Sequence, residues 1–583
     1  MMVSPPPDTE LSLNLIEASF TLIGVALSFA APRLGSSFFS YIERALLPLA
    51  RKRSLAVLVV GLSALLLRLA ILPFCPIPLP FVPDDFSFLL AADTFVHGHL
   101  TNATPAMWVH FESIHITMIP TYISMYFPST GLLLAAGKIL FGNPWFGLLC
   151  ISALMCAAIC WMLQAWLPPT WALLGGFLAI LHLGLFSYWI NTYSGGGSIA
   201  ALGGALVFGS LPRLTKTTRL RDGLLMAVGI VLLATTRPYE GFLLCLPVAV
   251  ILGHWALFGK NRPSAVTLLR RATLPLILLI AAGAWMGYYD YRAFGSPTTL
   301  PYTVDRATYA VTPYFVWQKL RPTPVYRHQA LRDFYLINET GTFTEVHSLS
   351  GFFPRTLIKM GISFLFFAGF ALLPPLIMMR RVFLDRRIRF LIFGVLILSA
   401  GMLIQIYLIP HYLAPFTSAF YAIGLQAMRH LRVWSPEGKS AGLTMVRLLV
   451  GLCVALAGIR LFAQPLHLRL AEWPPSEWVI EWYGPGYFGE ERAKIESSLE
   501  QLPGNQLVIV RYTSSHNPLE EWVYNSADID SSKVIWAREM DSHNNDELIS
   551  YYKDRRVWLV QPDAMPATLS PYPAPIHLAA GSH

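Results

Sequence analysis

Two carboxylates stand side by side in Pro83-Asp84-Asp85-Phe86-Ser87-Phe88, and the residues that follow, to Asp93, continue as an amphipathic helix. Adjacent acids immediately after a long apolar stretch have two readings. In one, Asp84 caps the helix and Asp85 is a first-turn acid, each gaining about 0.3–1 kcal/mol from the helix N-terminus. In the other, Asp84 is a general base facing a cavity at a membrane interface, and Asp85 positions it or a metal. Residue type alone leaves the two level.

Two further groups can take part in chemistry. Trp108-Val109-His110-Phe111-Glu112-Ser113-Ile114-His115, preceded by His97-Gly98-His99, gathers imidazoles and a carboxylate. His110, Glu112 and His115 are of the types that bind a divalent metal. Their spacing is not that of a helical zinc motif, because His110 falls off the face shared by Glu112 and His115. The favoured reading is a polar wall of a substrate groove. No cofactor is demanded, and a divalent metal is the one left open. The second group is cationic. Arg237, in Thr235-Thr236-Arg237-Pro238-Tyr239-Glu240, sits at the end of an apolar span, where a charge is expensive unless paired or facing a cavity. A local pair with Glu240, or snorkelling, is the plainer account. Residues 292–355 add Arg306, Arg321, Arg327 and Arg332 among Tyr302, Tyr309, Tyr314, Phe315, Trp317 and Tyr326. Arginine with aromatic surface suits phosphate and sugar faces, and it also suits simple interfacial anchoring.

The elements that carry these residues are set by apolarity. Of 583 residues, 54% are hydrophobic and 13% charged, and mean hydropathy is +0.51. A soluble chain carries about a quarter charged residues, so the deficit points to a bilayer. Spanning it takes roughly 20 apolar residues per helix. The spans read as Leu11–Ala31, Ser54–Pro73, Trp145–Trp166, Trp171–Ile190, Ser198–Leu211, Gly223–Thr236, Gly241–Phe258, Ala272–Tyr291, Thr356–Met379, Phe390–Ile409, Tyr412–Met428 and Thr444–Ala463. The net charge of +9 is gathered in short basic connectors: Arg51 to Arg53, Arg213 to Arg221, Lys260 to Arg271, Arg380 to Arg389 and Arg429 to Lys439. Placing all of them in the cytoplasm gives one consistent alternation, which is a topology signal rather than a nucleic-acid footprint. That alternation requires Gly131–Phe141 to lie along the outer leaflet, with Lys138 snorkelling, instead of crossing.

The expected fold is mainly α, a polytopic transmembrane helical bundle of about 12 spans with a small C-terminal α/β extracytoplasmic domain. Residues 1–53 form an N-terminal helix and basic connector. Residues 54–463 form the membrane domain with external loops 74–143 and 292–355, and 464–583 form the accessory domain. In the last, Gln506–Tyr512, Lys533–Trp536 and Arg556–Val560 read as strands, with helices at Gly489–Leu502, Pro518–Asn525 and Asn545–Lys553 between them. No glycine-rich phosphate loop occurs there. The N-terminus, acidic and proline-rich, reads as a retained helix rather than a cleaved signal. The six cysteines lie almost entirely in apolar spans and imply no disulfide framework.

A first large external loop opening on paired acids resembles the GT-C fold glycosyltransferases, a group that includes protein O-mannosyltransferases and aminoarabinose transferases. Asp84-Asp85-Phe86 is similar to their motif, with Asp in place of the commoner Glu. Pro128 to Gly142 (PSTGLLLAAGKILFG) is similar to their proline-led juxtamembrane helix, and Pro410-His411-Tyr412 precedes a late helix in the same order. The likeness covers about Ser54 to Met428 and not the tail. It implies a sugar donor on a polyprenyl phosphate, a membrane lipid, and an extracytoplasmic acceptor (glycan, lipid or protein). Asp84 would then be the base, and Arg237, Tyr239, Glu240, Arg306, His411 and Tyr412 the donor-binding residues. His110, Glu112 and His115 would line the acceptor side. The implied location is the inner (plasma) membrane of a bacterium, with the site and tail on the extracytoplasmic side. One departure is the turn Asn191 to Gly197, which holds no acid where many relatives carry a second one. Competing readings are a lipid or solute transporter or flippase, a ligase or polymerase using diphosphate donors, and a non-catalytic scaffold.

Overall fold

Backbone polar groups in hydrocarbon must be satisfied within their own segment, so apolar runs of this length fold as helices. In a computed structural model, which describes residues 10–194, 196–260, 262–463, 469–471 and 489–573, every expected span is largely helical. Seven helices among the described residues are long and apolar enough to cross a membrane: Leu13–Ala30, Arg53–Ala70, Trp145–Trp166, Gly197–Thr217, Pro238–Phe258, Ala265–Phe294 and Ala441–Ala463. The rest are shorter or interrupted. Trp171–Ile190 becomes the helix Pro169–Ala179 with a wider turn at Ile180–Gly184. The stretch 356–379 gives way after Phe367, and proline starts a tight turn at Pro374–Met378. Pro410–Phe416 is likewise a tight turn ahead of the helix Thr417–Arg432. Of the twelve expected spans, seven meet the length and composition for crossing among the described residues and the other five do not.

The chain divides into two compact units. The helical unit comprises Met1–Pro78, Trp145–Trp285 and Glu345–Gly486. It contains an element missing from the sequence reading, the amphipathic helix Ser36–Arg51. Its Glu43 is held by Arg432 at 3.1 Å and Arg447 at 2.9 Å, while Phe38 and Tyr41 stand exposed. Arg68, fully buried, is a clamp: it donates to the carbonyls of Cys75 at 2.8 Å and Pro76 at 3.3 Å and to Asn191 Oδ1 at 2.9 Å, and it lies over the ring of Trp145. A buried acid, Glu17, sits inside the first spanning helix, accepts from the Ala371 N–H at 2.9 Å and feels the charge of Arg460. All six cysteines are free thiols.

The mixed unit comprises Leu79–Pro144, Met286–Thr344 and Tyr487–His583, so both loop segments cluster with the tail. Its sheet runs Val534–Arg538, Asn505–Val510, Arg555–Gln561, Thr568–Pro571, the first three parallel and the last antiparallel. The fourth strand was not expected, and residues 518–525 form a turn and extended chain rather than a helix. Alternation along the strands dictates what each face meets. Leu507, Ile535 and Ala537 pack on Leu90, Phe111, Ile116, Met118 and Tyr122 of the first loop segment. Val508, Val510, Trp536 and Val560 pack with Leu499 of the helix Glu490–Gln501 on the other face. Covered on both faces, these strands read as near-continuous apolar runs, as parallel strands do.

Candidate active site

The helix Pro83–Val96 begins with proline at its first position, where no N–H is needed. It is fixed at both ends. Phe86 stacks on Tyr524 at 4.7 Å and lies under the guanidinium of Arg492 at 5.0 Å. Asp93 accepts from the Ala527 N–H at 2.9 Å and from Lys138 at 3.1 Å. With the helix so held, its first turn presents the two acids differently. Asp85, 2% exposed, turns back to accept the Phe81 N–H at 3.2 Å and so ties the incoming chain to the first turn of the helix. Asp84 points the other way, with its side chain 33% exposed.

Around Asp84 the structure assembles groups from distant parts of the sequence. The Tyr126 hydroxyl donates a hydrogen bond to Asp84, and His115 Nδ1 lies 3.4 Å from the same carboxylate and 3.1 Å from the Tyr126 hydroxyl. Tyr126 is held by stacking on Phe88 at 4.2 Å and by its N–H donating to Ser124 Oγ at 3.1 Å. His115 adopts φ 63°, a left-handed backbone that few residues other than glycine take up. Such strain costs on the order of 1–3 kcal/mol and persists only where the surroundings dictate it. Here its carbonyl accepts from Ser87 Oγ at 2.6 Å and the Met125 N–H at 3.1 Å, and its N–H reaches Tyr335 Oη at 3.3 Å. The flanking Ile114 and Ile116 are buried. Strain of this kind brings the imidazole onto the acid.

Burial by itself disfavours an imidazolium. The carboxylates of Asp84, Asp305 and Glu339 outweigh it and raise the His115 pKa above the ordinary value. Asp305 is fully buried, and that burial, offset by His115 and Arg306, pushes its carboxyl up to about 6. Because the folded-state pKa of His115 is raised, its contribution to stability is complete below the unfolded value of about 6.5 and is lost as pH rises through the folded value. Thermal unfolding followed from pH 5 upward should therefore show an alkaline decline that is shallower in His115→Gln.

The other candidates divide among separate networks. His110 is buried with Nδ1 at 3.1 Å from the Arg538 carbonyl, and burial lowers its pKa. Glu112, 2% exposed, meets Tyr309 Oη at 3.1 Å, Arg327 at 3.3 Å and His328 at 3.7 Å; burial raises its carboxyl pKa and Arg327 opposes that. His110, Glu112 and His115 thus do not converge. Among the described residues no group of three or more His, Cys, Asp or Glu side chains is placed to hold a metal ion. Arg306 is buried against Glu339 at 2.5 Å and also donates to the Thr312 carbonyl, an internal brace. In the helical unit, Arg237 precedes the helix Pro238–Phe258 and lies over the Tyr412 ring at 4.5 Å. Buried Glu240 is within its electrostatic reach, and Tyr239 donates to the Gly401 carbonyl at 2.9 Å. His411 Nδ1 meets the Tyr188 hydroxyl at 2.8 Å. The turn from Asn191 is tied down by Asn191 donating to the carbonyls of Leu185 and Ser187, and Gly195 within it lies outside the described residues. Tyr126, Asp305, Tyr335 and Tyr188 were not read from sequence. No local motif marks them, since each meets its partner across tens of residues or more.

No protein-family model matches the chain, and no curated protein matches it. Among solved structures, the oligosaccharyltransferase of Archaeoglobus fulgidus in complex with zinc and sulfate aligns at 11% identity over 87% of this chain and 67% of that one, with a TM-score of 0.46. ArnT from Cupriavidus metallidurans in the apo state aligns at 11% identity over 86% of this chain and 92% of that one, with a TM-score of 0.44. The same protein bound to undecaprenyl phosphate gives 10%, 87%, 92% and 0.43. With identities and scores this low, none of these likenesses bears on the reaction.

Proposed function

We propose that the chain is an integral membrane glycosyltransferase that moves a sugar from a polyprenyl-phosphate donor to an acceptor hydroxyl or amine on the extracytoplasmic side, with inversion. One observation carries the reading: Asp84 is a part-exposed carboxylate, gripped by a phenol and an imidazole at the start of a fixed helix. A general base must be accessible to its substrate and held in one orientation, and Asp84 meets both needs. The acceptor oxygen attacks the anomeric carbon, its proton passes to Asp84, and the bond from the anomeric carbon to the phosphate oxygen breaks. The electron pair leaves on the polyprenyl phosphate. Tyr126 and His115 hold the carboxylate and stabilise charge beside it.

A leaving phosphate needs fixed positive charge. Arg237, braced over Tyr412 and close to Glu240, is the residue assigned to it, with His411 and Tyr188 adjoining. Arg306 is left out of that role, since its guanidinium is engaged by Glu339 and Thr312. Replacing Arg237 by Ala should weaken binding of undecaprenyl phosphate to the purified protein by about 10-fold or more, as expected for a lost charge-assisted contact worth 1.5–3 kcal/mol. Titration of the lipid into the variant measures it, and unchanged affinity removes Arg237 from the donor site.

Transfer is tested by incubating the purified protein with labelled polyprenyl-phosphate sugars and an acceptor extract. Absence of transfer across a panel of such donors would sink the proposal. Chelator in the same assay reads the metal requirement directly.

A further inference from the structure

The parallel strands of the mixed unit lead to a cavity. Asn505–Val510 is the central strand; the chain passes from it to Val534–Arg538 on one side and then crosses to Arg555–Gln561 on the other. A cavity of about 150 Å³ lies outside the carboxyl ends of Asn505–Val510 and Val534–Arg538. That is on the order of ten times the space one water requires, enough for a single sugar ring. Its walls come from the ends of the first two strands (Arg511, Tyr512, Arg538, Glu539), from His516, and from the segment Arg327 to Asp333.

Charge decides what the cavity suits. Arg511 grips Glu539 through Nε and Nη2, both at 2.5 Å. Arg538 is paired with Glu521 at 2.5 Å, and Arg327 with Glu112 at 3.3 Å. His516 Nδ1 is 2.6 Å from Asp563, the acid just beyond the third strand. Each arginine of the wall thus already has its carboxylate, so an anion entering would also meet that acid's repulsion. A neutral polyol would not. Arg327 and Arg511, with side chains 45% and 44% exposed, and Gln329, Asp333 and Glu539 offer donors and acceptors together, as a ring of hydroxyl groups needs. Tyr512 and His516 are stacked at 3.8 Å and give the wall a flat plate.

We infer that this strand-end cavity binds a neutral saccharide unit, one ring of the acceptor glycan. The saccharide class stands on the cavity itself; its assignment to the acceptor rests on the glycosyltransferase reading. None of the residues proposed to act on donor or anomeric carbon lines it.

The test uses full-length protein in detergent. Saturation-transfer NMR is recorded with the methyl glycosides of glucose, mannose and galactose, and the linewidth of inorganic phosphate is followed in parallel by ³¹P NMR. At least one glycoside should show saturation transfer, reduced about tenfold in both Arg511→Ala and Gln329→Ala and unchanged in Asp84→Asn. Gln329 takes part in no ion pair of the wall, so its variant keeps the test valid if loss of Arg511 disturbs the fold. No glycoside signal, a signal indifferent to both pocket variants, or phosphate broadening alone that depends on Arg511 would each overturn the inference. Pocket-dependent sugar binding by a protein that transfers nothing upholds the saccharide site and overturns its assignment to an acceptor. Transfer lost in Asp84→Asn without any sugar binding here upholds the enzyme and overturns the pocket.

Discussion

Asp84→Asn should lower sugar transfer by roughly 10²–10⁴-fold, the range that a positioned general base supplies, while leaving thermal unfolding nearly unchanged. The side chain is a third exposed and caps nothing, so at a pH where His115 is neutral the fold loses little with its charge. Its neighbour gives the contrast. Asp85 is buried and accepts the Phe81 N–H, so Asp85→Ala, which removes the acceptor, should cost about 0.5–1.5 kcal/mol of stability, the net worth of a typical hydrogen bond. It should retain most of the turnover of enzyme that stays folded. Initial rates with a labelled polyprenyl-phosphate donor, set beside melting temperatures of the same preparations, separate the two. If Asp84→Asn transfers sugar at the wild-type rate, Asp84 is not the base.

The largest effect on stability is expected at Glu521. Its carboxylate, 2% exposed, receives Arg538 at 2.5 Å, Ser113 Oγ at 2.9 Å, the Tyr512 hydroxyl at 3.0 Å and the Val523 N–H at 2.8 Å. Arg538 in turn donates to the Glu112 carbonyl at 2.6 Å. Removing one partner of a buried pair strands the other charge, at about 3–5 kcal/mol. Glu521→Gln should therefore melt the mixed unit well below the wild type, read by limited proteolysis of residues 489–573. The double replacement Glu521→Gln with Arg538→Met should recover part of the loss, because no charge is stranded and the Gln carbonyl oxygen still accepts from Tyr512 and Val523. A single variant as stable as the wild type would show that the pair is not what ties the sheet to the segment around Glu112 and Ser113.

Sequence by itself determined the helices. Trp145–Trp166 keeps its predicted bounds, and Ala441–Ala463 and Leu13–Ala30 differ from theirs by three residues or fewer, because apolar length and the absence of interior proline act locally. The same holds for the helix Pro128–Phe141, which the alternation of basic connectors kept from being read as a crossing, and for the three parallel strands of the tail, whose apolar runs are short and bounded. The missed helix Ser36–Arg51 has a polar face and a proline, and its acid is neutralised by arginines almost four hundred residues on. The acid pair was visible as a pair, but which member turns outward was not. That follows from Asp85 finding a backbone donor at Phe81 and from Tyr126 and His115 arriving at Asp84, contacts set by packing rather than spacing. His115 shows the limit most plainly. Its neighbours in sequence suggested a shared role with His110 and Glu112, and a single left-handed backbone angle, held by Ser87 and Tyr335, sends it elsewhere. Local rules reach as far as one turn or one strand. The company a buried charge keeps is decided by whichever distant segment can satisfy it, and only the folded chain specifies that.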